Sequence, residues 1–552
     1  MKAAAVLTVS AMLLIACGGQ QEEIADASPL AVMPGTPSLF SMAVLNPAAV
    51  ISALDGYASG VPLLGESAVS GWILSALDCA DMSEVDGRLG IRTDGGLTLF
   101  MESMMPQSIG AALTVPDPDT FWANIGLTPQ PDEPLEGHDV SSIPVDFGSI
   151  YFCHTRGLML AAGSRAALQS MLERIDDQPA SSLAEVPDGS FYMSASVETF
   201  GPMVASQLAM MQPQLMSEMT AAGEMDPEMM QNMMGLYFDA IGLMLTDVST
   251  WSCVVTFGPE YVSGSSTVEF VPGSTLDRYV VPVEAEDMTG LIPAGDVMVA
   301  RLSLDPSTSA AAMNAVFDAM GLTDVPQDMV EFWAKSTSNT AVSMLYDPEV
   351  PLRVAGVYTM PEGSTLEDVK NVYESQFSMM SDFMEMPGLE LSPVEYAEYR
   401  GRNWVTLGMS MDMEAFRPDT VEEESTYARS VSWTMWMTEQ DGALYMEMAP
   451  EPATVADILD GTYQGDYAAD MAEMGSFSDS SEMAILLNMP GYLNMALAMS
   501  GLDVPPVDFD PVWMEMELDI TQGGMRSDFR FSGTEMTAFI GKAIQAFSMM
   551  AQ

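Results

Sequence analysis

Between Val512 and Ile520 the chain alternates strictly. Met514, Met516, Leu518 and Ile520 fall on one parity, and Glu515, Glu517 and Asp519 on the other. A period of two places successive side chains on opposite faces, so this stretch predicts an antiparallel strand with one apolar and one wet, acidic face. Two hairpins read in the same way. Residues 250–257 and 260–270 flank Gly258-Pro259, and residues 427–438 and 443–449 flank Glu439-Gln440-Asp441-Gly442, where Asp-Gly suits a tight turn. Helical periods predict helices over 47–56, 164–175, 305–320, 365–386, 489–501 and 534–550, and over 203–245 with breaks at Pro213 and Asp226-Pro227. Strand runs interleaved with single helices predict an α+β fold, mostly antiparallel sheet covered by helices.

The strand-to-helix pattern recurs. Met33-Pro34 precedes a strand-like run, 38–45, that ends in Asn46-Pro47; Ile292-Pro293 precedes another, 296–304, that ends in Asp305-Pro306. Asn and Asp are good N-caps, and proline at the first helical position gives up no hydrogen bond the helix needs. The runs 266–271 and 527–531 lead into Gly273-Ser274-Thr275-Leu276 and Gly533-Thr534-Glu535-Met536 respectively. Between these ends, 157–163 followed by Ser164-Arg165 parallels 402–408 followed by Asp412-Met413, and 190–196 parallels 483–488. The pattern predicts two tandem similar halves, 30–285 and 290–552, from an internal duplication.

Ahead of the first half, Lys2 and the uncharged run Ala3–Ile15 have the size and polarity of a signal peptide, and fall short of the roughly 20 residues of a membrane span. The run ends in Leu14-Ile15-Ala16-Cys17, which resembles a bacterial lipobox. Together with the repeated strand–helix motifs at Pro34 and Pro293, it resembles large bacterial surface lipoproteins made of duplicated domains of unknown function. The resemblance implies export, removal of residues 1–16 and acylation of Cys17, which would hold the chain on the cell envelope at its periplasmic face or at the cell surface. It implies no activity. Residues 17–29 are small, polar and acidic and read as a flexible tether. Residues 199–217 and 483–502 lack charge but are interrupted by Pro202, Pro213 and Pro490-Gly491, so neither reads as a span.

Charge narrows the partners. Asp and Glu number 78 against 18 Lys and Arg, a net charge of -60. That excludes nucleic acid as the expected partner, because phosphate backbones need basic patches, and it excludes docking on anionic lipid through a basic surface. There is no phosphate-cradling glycine loop, hydrolase elbow or calcium loop. Histidines occur only at 138 and 154. Cys153 adjoins His154, but neighbours on a strand point to opposite faces and cannot serve as nucleophile and base. Cys79, Cys153 and Cys253 lack metal-knuckle spacing; Cys153 and Cys253 sit in apolar runs and read as buried free thiols. Asp117 and Asp119 read as helix-capping or solvent-facing carboxylates. The chain is read as non-enzymatic and without a cofactor.

Methionine is the remaining anomaly, at 52 residues. They are densest in 203–245, where Met216, Met219, Met229, Met230, Met233 and Met234 fall at helical spacings. Because methionines run through the whole chain, the first reading is flexible core filler, with some left exposed on the outer side of this segment. The alternatives are a Met-lined groove carrying an apolar ligand, with those six residues as its lining, and Cu(I) handling by soft thioethers. The expected function is thus structural or binding: a lipid-anchored envelope protein whose protein or apolar-ligand partner is undetermined by the sequence.

Overall fold

The computed structural model describes residues 28–34, 38–59, 61, 67–145, 148–177, 189–222, 235, 238, 241–284, 286, 288–293, 295–319, 325–336, 338–346, 352–383, 389–411, 431–463, 481–499 and 509–550. In chain order the first elements are β1 (Phe40–Leu45), α1 (Pro47–Ala58), α2 (Ala68–Leu77), α3 (Met82–Leu89), β2 (Gly96–Met101), β3 (Ile109–Thr114), α4 (Pro118–Ile125), β4 (Gln130–Pro131), β5 (Val140–Val145) and β6 (Gly148–Thr155). There follow β7 (Leu158–Ala162), α5 (Arg165–Asp177), β8 (Ser190–Ala195), α6 (Val197–Ala222), β9 (Val248–Phe257), β10 (Tyr261–Phe270) and α7 (Thr275–Tyr279). The chain continues through β11 (Met298–Ser303), α8 (Pro306–Ala319), α9 (Gln327–Ser336), β12 (Asn339–Leu345), β13 (Arg353–Thr359), α10 (Leu366–Phe383), β14 (Leu389–Leu391), β15 (Glu395–Tyr399) and β16 (Arg402–Met411). The last are β17 (Val431–Gln440), β18 (Ala443–Met448), α11 (Ala453–Leu459), β19 (Met483–Asn488), α12 (Met489–Met499), β20 (Trp513–Thr521), β21 (Gly524–Ser532) and α13 (Gly533–Met550).

The fold is α+β, with antiparallel sheet and covering helices. Two compact units form. One holds the described residues through Ser206, Leu245–Val271 and those from Arg530 on; the other holds Pro272–Phe529 with Gln207–Met244. The cut therefore differs from contiguous halves, because 207–244 and the C-terminal helix fall outside the unit their sequence position suggests. In the first unit the strands pair antiparallel in the order β4-β5-β6-β7-β3-β2-β1-β8-β9-β10. In the second the order is β15-β16-β17-β18-β13-β12-β11-β19-β20, with β14 beside β15 on β16. With β1 matched to β11, the nine strands from β4 to β9 follow the same order as the nine of the second unit.

That match puts the two proline motifs at the same place. Asn46 adopts a left-handed conformation and its Oδ1 accepts from the Ala49 amide at 3.1 Å, opening α1 with Pro47 in the first turn. Asp305 accepts from the Ser307 and Thr308 amides at 3.0 and 2.9 Å, opening α8 in the same way. Hydrogen bonds from Ser307 hold its carboxyl below the usual range, as expected of a cap that works best ionised. The ends after β10 and β21 also correspond, and so do β8 with α6 and β19 with α12. One pairing differs from the sequence reading. In position within its own unit, β7, which pairs with β3, corresponds to β18, which pairs with β13, and not to 402–408, which lies in β16.

Each sheet is buried on both faces. In the first unit Phe100, Ala112, Cys153, Leu158 and Leu160 meet Leu168, Met171, Leu172 and Ile175 of α5. The opposite face carries Met159 and Val115 against Phe121 and Trp122 of α4, and Ile51, Ile73 and Val85 join α1, α2 and α3. In the second unit Val405, Leu407, Met437, Leu444 and Met446 pack on α9 and α10, while Val357, Trp404, Ala443 and Tyr445 pack on α11. Each large side chain buried this way contributes about 1.5–3 kcal/mol of transfer free energy.

Two local expectations are corrected. Glu515 and Glu517 of β20 stand opposite Leu486 and Ala484, both fully buried, and the whole acidic row is half-buried. The apolar row is half-buried too, so the two faces of β20 do not divide into one covered and one wet side. The second correction concerns Pro213: α6 runs unbroken through it, from Val197 to Ala222. A proline forfeits one backbone hydrogen bond, and a long flanking ladder tolerates that loss. The Asp226-Pro227 break lies outside the described residues.

Candidate functional site

Helix α6 begins where the Ser196 hydroxyl meets Thr199 Oγ1 at 2.8 Å and Glu198 sits in the positive first turn. Gly201 is needed there because a Cβ would lie 1.9 Å from the Leu245 carbonyl oxygen, so only glycine lets the returning chain cross the helix. Beyond this crossing several side chains face water, while Val204, Ala205 and Leu208 are half-buried. Met203 is 41% exposed, Met210 70% and Met211 51%. Met203 and Met210 are seven residues apart and lie on one stripe of the helix, about 10 Å apart along its axis; Met211 points about 100° away from Met210. Met244, on the helical stretch 241–247, is exposed as well.

Of the residues expected to form a site, Met216 and Met219 lie on α6, with side chains outside the described residues. Met229, Met230, Met233, Met234 and Cys17 lie outside the described residues altogether. The methionines found exposed are their neighbours in the same segment. Met159, Met171 and Met437 do fill the cores of the two units.

Of the two thiols expected to be buried, Cys153 is and Cys253 is only half-buried. Cys79, Cys153 and Cys253 are free. Cys153 is buried, and burial first, then the Asp139 charge, pushes its thiol up to about 11, so it stays protonated at neutral pH. His154 points to the other face of β6, exposed, with Nε2 2.7 Å from the Val115 carbonyl oxygen. Asp117 caps α4, accepting from the Asp119 and Thr120 amides. Among the described residues no three or more His, Cys, Asp or Glu side chains gather as metal ligands, and no helix is long and apolar enough to cross a membrane.

A second apolar surface was not anticipated from the sequence. Met104 and Met105, between β2 and β3, are 59% and 63% exposed, and Ile109 follows them at the start of β3. The signal was present as Met104-Met105-Pro106, an apolar pair in a turn bracketed by Ser103 and Ser108, positions where a loop usually carries polar residues.

No protein-family model and no curated protein matches the chain. Among solved structures, crystal forms III and I of TP0453 are similar over 47% of this chain, covering 99% and 98% of theirs. The identities are 7% and 9%, and the TM-scores 0.23 and 0.21. At that level fold and function have to be argued from the chain itself.

Proposed function

We propose that this chain is a lipid-anchored, non-enzymatic protein of the cell envelope that binds an apolar partner along α6. The observation that carries the binding reading is the exposure of Met203, Met210 and Met211 on one long helix. Flexible, polarisable thioethers adapt to irregular apolar surfaces, and a helix covering a sheet buries such side chains when nothing else calls for their exposure. The anchor rests on the signal-like N-terminus and Cys17. The spacing along α6 spreads these thioethers over a surface, which suits an apolar partner better than a copper ion needing sulfurs at one point.

Two measurements test the two parts. Cells grown with an alkyne fatty acid should incorporate it into the protein, and Cys17→Ser should abolish the label; a label that survives removes the anchor. For the surface, the neutral dye Nile red should brighten on the protein, and the triple variant Met203→Gln, Met210→Gln, Met211→Gln should lose most of that signal. An unchanged signal removes α6 as the docking face.

A further inference from the structure

We infer that the β2–β3 tip, Met104-Met105-Pro106 with Ile109, seats the protein on its bilayer, dipping into the boundary between headgroups and acyl chains. This rests on the anchor proposed above and concerns a different surface from α6.

The tip is exposed and built to stay in place. The Ser108 hydroxyl donates to the Ser103 and Met105 carbonyls, each at 2.7 Å, and accepts from the Ser103 amide at 3.0 Å. The Ser108 amide donates to the Met105 carbonyl at 2.9 Å. From the neighbouring turn, Ser164 Oγ donates to the Gln107 carbonyl at 2.8 Å and the Gly163 amide to the Ile109 carbonyl at 2.9 Å. The loop therefore satisfies several of its polar groups internally, and its two thioethers are exposed. A loop that left its amides to water would pay to enter a headgroup region; this one has fewer to strip.

Charge selects the bilayer as occupant. In a chain of net charge -60, residues 95–116 contain a single charged residue, Glu102, and it is paired with Arg174. Asp132, on the loop beside α5, is paired with Arg165 at 2.7 Å. The opposite end of β2 is flanked by Asp86, Arg92 and Asp94 instead. The exposed Glu133, Glu136 and Glu173 lie farther back, on the loop and helix α5 beside the tip. An acidic surface is held off an anionic membrane, so the stretch 95–116, with its one paired carboxylate, is the part of this end that can touch it.

Reach allows it. The first described residues leave β2 at its Gly96 end, where Pro29 lies against Gly96. From Ser28 back to Cys17 is about 11 residues, at most about 40 Å of extended chain. β2 spans about 20 Å, so acyl chains on Cys17 and the tip can lie in one plane. Two partly exposed methionines add a weak second contact to the acyl anchor, the kind of paired signal that stable membrane association uses.

The test uses the lipidated protein reconstituted on phosphatidylcholine vesicles and the same chain starting at Gly18, which keeps every described residue, in buffer. Mild peroxide oxidation is read at each methionine by peptide mass. Met104 and Met105 should oxidise about fivefold more slowly on vesicles, with the exposed Met244 unchanged as a reference. Equal rates in both samples would place the tip in water and overturn the proposal. Protection already present in buffer would mean that protein, a second copy included, covers the tip, and would overturn it too. Failure of the anchor itself shows separately, as absence of acyl mass on the Cys17 peptide.

Discussion

Arg353 Nη2 donates to Glu447 Oε1 at 2.9 Å, and the same carboxylate's Oε2 accepts from the Val455 amide at 2.8 Å. Glu447 is 1% exposed. Pro452, at the N-cap of α11, offers no side-chain acceptor, so a glutamate from the neighbouring strand β18 supplies it. A buried pair is costly to break from one side, because the remaining charge is left without its partner. Arg353 is 22% exposed and also donates to Thr454, so Glu447→Ala should lower stability by about 1–3 kcal/mol, read as a lower urea midpoint. Glu447→Gln, which keeps one acceptor for Val455, should lose less. Equal losses would show that the cap contributes little.

Asp86 should make stability depend on pH in mildly acidic solution. Its carboxyl is raised to about 6, chiefly by burial, against the hydrogen bond from Thr93. Folding thus raises its affinity for protons, and the folded state binds more of them than the unfolded state between about pH 4 and 6. Stability contributed by this group is present below pH 4 and is lost as pH rises through 6. Asp86→Asn removes the loss while keeping an acceptor for the Thr93 amide. At pH 7.5 it should stabilise by about 1–2 kcal/mol, less than the full shift implies because the group is half-open to solvent. At pH 4 the difference from the parent should shrink toward zero. A constant difference across that range would show that Asp86 is not the titrating group.

The seat of α13 depends on two glycines. A Cβ on Gly533 would lie 2.4 Å from the Tyr57 ring, and one on Gly541 2.7 Å from Val61 Cγ1. Tyr57 cannot step aside easily, since its hydroxyl donates to the Gly258 carbonyl. Gly533→Ala should cost about 1–3 kcal/mol by overpacking. In a Tyr57→Ala background most of that cost should disappear, and a double-mutant cycle of thermal or urea unfolding measures the coupling. Additive effects would mean the helix seats elsewhere.

These cases mark what the sequence carries. The caps Asn46 and Asp305, with their prolines, are local chemistry and were readable, as were the hairpins around Gly258 and Asp441-Gly442. Helix α3 was readable but missed: Asp81 accepts from the Glu84 amide at 3.0 Å, Glu84 reaches back to the Ala80 amide at 2.6 Å, and Gly90 ends the helix. That is a capping signature on a helix too short to show its period. Helix α2 gave less warning, because Ala68–Leu77 is apolar on nearly every side. The counterpart of β7, and the half-burial of Glu515 and Glu517, depend on register with strands far away in sequence. No local pattern specifies such pairings, and alternation alone cannot say which parity is covered. For the site, the sequence marked the methionine-rich segment but not which of its members would face water.

Exposure of those methionines is itself the last prediction. Oxidation of a thioether to its sulfoxide follows access, so peroxide should sort the methionines by burial. Met104, Met105, Met203, Met210, Met211 and Met244 should be modified first in buffer, and Met159, Met171 and Met437, buried between sheet and helices, on the order of tenfold more slowly. The sorting also separates two roles for α6. If the helix only covers a sheet, substituting its outer methionines with glutamine should leave the urea midpoint within about 0.5 kcal/mol, as for ordinary surface positions. If they form a docking face, the same substitutions should leave stability equally unchanged but abolish capture of an apolar probe. A loss of stability, with uniformly slow oxidation across 203–211, would instead make the segment core, because only buried thioethers both resist peroxide and stabilise the fold by their removal from water.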